Sequence, residues 1–79
     1  MVEVFKTNVT DEVNASLLVT AIAFHFEGHS ANFDLEDCDQ ILRVENPDGL
    51  VCAVDVISLL AEKGFSAAVL EDTFEPAVS

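Results

Sequence analysis

"SANFDLEDCDQILRVEN", Ser30 to Asn46, is the stretch on which the fold turns. In its first half, "SANFDLED" (Ser30 to Asp37), Ala31, Phe33 and Leu35 fall on one side and Asn32, Asp34 and Glu36 on the other. This is the period-two pattern of a strand with one buried face. After a polar turn, "QILRVEN" offers Ile41 or Leu42, together with Val44, as a second strand. So short a separation joins the two as an antiparallel hairpin.

On either side of the hairpin the period changes. Upstream, Val13, Leu17, Ala21 and Phe24 recur at helical spacing, with Leu18 and Ile22 widening the stripe. Thr10 is placed to cap this helix, Asp11 and Glu12 complement the positive end of its dipole, and Gly28 is a natural stop. Before it, "VEVFKT" (Val2 to Thr7) reads as a strand. Downstream, "NPDG" (Asn46 to Gly49) is a turn, and a second helix is expected over Leu50 to Lys63. That helix would bury Val54, Ile57, Leu60 and Ala61 and end at Gly64. "FSAAVLE" (Phe65 to Glu71) then reads as a short last strand. The order is βαββαβ, and each helix has one stripe to bury. The right-handed crossover rule favours an α+β, ferredoxin-like sandwich: a four-stranded antiparallel sheet in the order 4-1-3-2 with both helices on one face. Residues 1–72 are expected to form a single domain and 73–79 a C-terminal tail.

The composition restricts what such a domain can do. Half of the 79 residues are hydrophobic, enough for one packed interior, while fifteen carboxylates face three basic residues for a net charge of -12. A surface this acidic repels phosphate backbones and anionic lipid, so neither nucleic acid nor membrane is an expected partner. With no apolar run long enough to span a bilayer, and two cysteines without CxxC spacing, the chain is expected to be cytoplasmic.

The strand-loop-helix start, the "FDLED" strand and above all "VISLLAEKGFSAAVLE" at the end of the chain resemble the heavy-metal-associated domains of copper chaperones and metal-pumping ATPases. The "FKTNV" and "NFDLEDCDQILRVEN" runs resemble small bacterial members of that superfamily that lack the metal motif. In the metal-binding members the first loop carries Met-x-Cys-x-x-Cys, a pair of thiolates suited to copper(I). The resemblance places those two positions on Thr10 and Val13, or one residue later on Asp11 and Asn14. Neither alignment supplies sulfur, so the resemblance implies the fold without the metal transfer.

The remaining candidates are few. Cys38 stands between Asp37 and Asp39, whose charges disfavour a thiolate, and Cys52 reads as a small buried hydrophobe. His25 and His29 have the four-residue spacing of a helical zinc pair, which Gly28 interrupts. No catalytic signature is present, and neither an enzyme nor a cofactor is expected. The expectation is therefore a non-enzymatic binding module, a monomer or weak homodimer, with a protein partner of basic character. It would engage Asp11, Glu12, Asp34 and Glu36, the sheet edges and an open face bearing Asn32 and Arg43. The alternative is a metal-binding protein with an unconventional site drawn from Cys38, Cys52, His25 and His29.

Overall fold

The computed structural model describes residues 1–70. Six elements follow in the order β1 (Val2–Thr7), α1 (Glu12–His25), β2 (Ser30–Asp34), β3 (Ile41–Glu45), α2 (Ala53–Glu62) and β4 (Ala67–Val69). The strands form one sheet in the spatial order β2-β3-β1-β4, which is 4-1-3-2 read from the other edge. Every pairing is antiparallel. The chain is thus an α+β sandwich of ferredoxin-like layout. The C-terminal tail expected at 73–79 lies outside the described residues.

Register dictates which side chains meet the helices. Phe5, Leu42 and Phe33 are aligned across β1, β3 and β2, and Val44 is opposite Ala31. Against them pack Ala15, Leu18 and Ile22 from α1 and Val56, Leu59 and Leu60 from α2, with Val9 and Val51 closing the core from the loops. Among the described residues no polar or charged side chain is fully buried. The interior is therefore held by apolar burial, roughly 1.5–3 kcal/mol for each large side chain.

Each helix buries part of the stripe that the sequence pattern favours and turns the rest to solvent. In α1, Val13, Leu17 and Phe24 of the expected stripe are turned to solvent, 70%, 62% and 84% exposed. The core takes Leu18 and Ile22 from the flank of that stripe, together with Ala15, which lay outside it, and Ala21 is half-buried against them. The cause is that α1 is apolar on nearly every side, so periodicity defines a helix without defining its phase. Its entry then decides: Val9 is fully buried just before the helix, and the N-cap is Asp11 rather than Thr10. In α2 helical geometry begins at Ala53, not Leu50; Leu60 is buried and Ile57 half-buried as expected, but Val54 and Ala61 face outward and Val56 and Leu59 take the remaining inward places. β2 stops at Asp34, short of the expected Asp37, because the chain turns over Leu35 to Gln40 to reach β3.

The close of α2 follows the sequence reading. The Gly64 amide donates to the Ala61 carbonyl and the Phe65 amide to the Leu60 carbonyl, at 3.0 and 2.9 Å. With Gly64 at φ +93°, this is a Schellman ending. It points Phe65 back against the core and aims the chain into β4.

Candidate functional site

Among the described residues β2 is an edge strand: one side of its backbone pairs with β3 and no other described strand lies beside it. Along this edge, between β2 and α1, runs a groove of about 530 Å³ that is open to solvent. Its helical wall is made by Glu12, Ala15, Ser16, Val19 and Thr20, and its other side by Ala31 to Glu36. Beyond Glu12 the wall is low because Ala15, Ser16, Val19 and Thr20 are small or β-branched. Phe33 and Leu35, half-buried, supply apolar surface on the sheet side.

Three of the four carboxylates singled out from the sequence come together here, since Glu12, Asp34 and Glu36 all border the groove. The topology explains the meeting. β2 runs parallel to β1, so its C-terminal end arrives beside the N-terminus of α1. Their donor oxygens do not converge on a single point: among the described residues the one group of three potential ligands within 4.8 Å of one another is Asp37, Cys38 and Asp39. The groove therefore offers negative charge spread along a channel, suited to several cationic groups in a row.

Asp11 is committed elsewhere. Its Oδ2 accepts the Asn14 backbone N–H at 3.0 Å and its Oδ1 accepts Asn14 Nδ2 at 2.8 Å. These bonds, the backbone one first, hold the Asp11 carboxyl below its ordinary value of 3.8. The rest of the first loop is also fastened. Asn8 Oδ1 accepts the Ser66 amide at 2.9 Å, and Thr7 Oγ1 donates to the Gln40 carbonyl at 2.7 Å.

The sulfur and imidazole candidates are dispersed. Both cysteines are free and exposed. For Cys52 this corrects the buried placement expected from sequence: the inward position at the head of α2 is taken by Val51, and Cys52 becomes the N-cap residue. Cys38 shares the β2–β3 turn with Asp37 and Asp39, where Asp37 Oδ1 already accepts the Asp39 amide at 2.9 Å. His25 closes α1 and meets Phe24 edge to face at 5.5 Å. His29 lies beyond the helix, with Nδ1 3.1 Å from the Glu27 carbonyl. On the open face, Asn32 and Arg43 are directly opposite each other across β2 and β3.

Sequence reasoning missed the helical wall of the groove. Ala15, Ser16, Val19 and Thr20 recur at i, i+1, i+4 and i+5, a face of α1 recognisable only once its rotation is known. No helix among the described residues is long and apolar enough to cross a membrane. No protein-family model, curated protein or solved structure matches the chain.

Proposed function

We propose that this chain is a small, non-enzymatic, cytoplasmic interaction module that captures a basic, extended segment of a partner protein in the groove between α1 and β2. The observation that carries this reading is the juxtaposition of Glu12, Asp34 and Glu36 with a strand edge that is unpaired among the described residues. A segment laid beside β2 gains backbone hydrogen bonds, its alternate side chains enter the groove, and lysine or arginine side chains meet the carboxylates. The resemblance to heavy-metal-associated domains supports the same reading. Under one alignment its two thiolate positions are Asp11 and Asn14, which here bond to each other and start a helix.

The test is a titration of the isotope-labelled chain with a peptide of alternating lysine and valine, followed by amide chemical shifts. Saturable changes confined to Ser30–Asp34 and the Glu12–Thr20 side of α1 are expected, and Glu36→Lys should weaken binding several-fold. Changes spread evenly over every acidic segment, including Asp37 to Asp39, would reject the groove.

One observation favours a second reading. The Asp37, Cys38 and Asp39 donors lie close enough to hold a metal ion, although they are neighbours on an exposed turn. Zinc titration would show binding lost in Cys38→Ser if this turn is the site, and no saturable binding if it is not.

A further inference from the structure

A smaller cleft lies on another side of α1, where the helix faces the turn from α2 into β4. It has a volume of about 270 Å³ and is lined by Asn14, Leu17, Leu18 and Ala21 of α1 with Lys63 and Phe65 of the turn. The Schellman ending of α2 builds the facing wall, since it folds Phe65 back to half-buried against the core and leaves Lys63 exposed beside it. The cleft differs in charge from the other grooves of the described surface. The groove between α1 and β2 is bordered by Glu12, Asp34 and Glu36, and a third hollow by His25, Asp55 and Glu62. This cleft has one cation and no carboxylate in its lining, in a chain of fifteen carboxylates and three basic residues.

We infer that this cleft binds a small free carboxylic acid with a short aliphatic chain, the chain lying on Leu17, Ala21 and Phe65 and the carboxylate meeting Lys63 Nζ and the Asn14 side-chain amide. Asn14 Nδ2 has two hydrogens and gives one to Asp11 Oδ1 at 2.8 Å, so the other is left for an acceptor. Asn14 also stands in the first turn of α1, where the positive end of the helix dipole favours an anion. At the end of α2 the Leu59, Leu60 and Ala61 carbonyls already accept from the Lys63, Gly64 and Phe65 amides, so the ammonium is not needed to satisfy them. The neighbouring carboxylates are engaged elsewhere: both Asp11 oxygens accept from Asn14, and Glu62 borders the hollow beside His25. The net charge of -12 acts from a distance, and at 0.15 M salt the screening length of about 8 Å leaves a bound carboxylate to its near neighbours. Size favours a free acid over a protein segment, because the cleft is below the roughly 300–1,000 Å³ of sites for drug-sized ligands. A ligand this small, at ordinary efficiency per atom, binds with a dissociation constant on the order of 1 mM.

The isotope-labelled full chain would be titrated with sodium octanoate at a fixed ionic strength of about 0.15 M, followed by amide and methyl chemical shifts. The expected result is saturable change confined to Asn14–Ala21 and Lys63–Phe65, with nuclear Overhauser contacts from the octanoate methyl to the Phe65 ring or the Leu17 methyls. Lys63→Gln should weaken binding about three- to fivefold, the scale of an exposed ion pair, and Lys63→Arg should restore most of it. Ala21→Leu, which fills the cleft, should abolish binding, and each methylene removed from the probe should weaken it by up to about fourfold. No saturation by about 20 mM, well above the expected constant, would overturn the proposal. So would shifts spread equally over the acidic grooves, octylammonium binding the same residues as tightly, or an affinity unchanged in Lys63→Gln. Tighter binding at these residues by a peptide ending in a leucine carboxylate would also overturn it, by assigning the cleft to a protein terminus.

Discussion

Asp11 and Asn14 act as a closed pair at the head of α1, each oxygen of the carboxylate taking one hydrogen from the asparagine. The lowered pKa of Asp11 fixes the sign of its pH dependence. Its capping contribution is complete above the ordinary value of 3.8 and is lost as pH falls through the lower folded value. Asp11→Ala should accordingly lower the melting temperature at pH 6, and the gap from wild type should narrow progressively below about pH 4, as thermal melts would record. At the end of α2, Gly64 has φ +93°, and a Cβ added there would meet no atom within 4 Å. Gly64→Ala is therefore expected to cost about 1 kcal/mol from backbone strain alone, measured by urea unfolding. The asparagine–aspartate pairing was not legible from sequence. Thr10 and Asp11 are both good caps, and only the path of the chain after buried Val9 selects between them.

At the scale of elements, α1 is the most informative case. Its residues are apolar enough to offer two stripes, and the sheet buries one. The difference is measurable. Phe5→Ala, at a fully buried position, should cost about 3–5 kcal/mol and unfold much of the population of so small a domain. Phe24→Ala, at a position 84% exposed, should shift stability by no more than about 0.5 kcal/mol. Urea denaturation of the two variants would check both outcomes. The strands were more legible than the helices because a period of two allows only two phases, and polar Asn32 and Asp34 rule one out. A helix of 3.6-residue period can rotate in small steps, and with only Ser16 and Thr20 polar and no charged side chain between Asn14 and His25, little on α1 opposes the rotation.

For the whole molecule, the excess of carboxylates sets the salt dependence of the proposed contact. The groove attracts a basic segment through Glu12, Asp34 and Glu36, so raising salt should weaken peptide binding. The molecule measures 40 × 29 × 19 Å, comparable to the screening length of about 30 Å at 0.01 M salt and several times the 10 Å at 0.1 M. Measuring peptide affinity across that range should show it falling steadily as salt rises. An affinity indifferent to salt would mean that the groove has been assigned the wrong partner.

The order of elements, the hairpin centred on Ser30 to Asn46, the ends of both helices near Gly28 and Gly64, and the acidic character of the surface all follow from the chain itself. Each rests on local periodicity, on residues with special backbone freedom, or on charge, and none needs a distant neighbour. The rotation of α1, the exposure of Cys52 and the meeting of Glu12 with Asp34 and Glu36 belong to the tertiary structure. They depend on residues remote in sequence competing for one apolar interior, and on an edge strand arriving beside a helix start. That competition buried Val9, Ala15 and Val51, and it left Val13, Leu17 and Phe24 facing water.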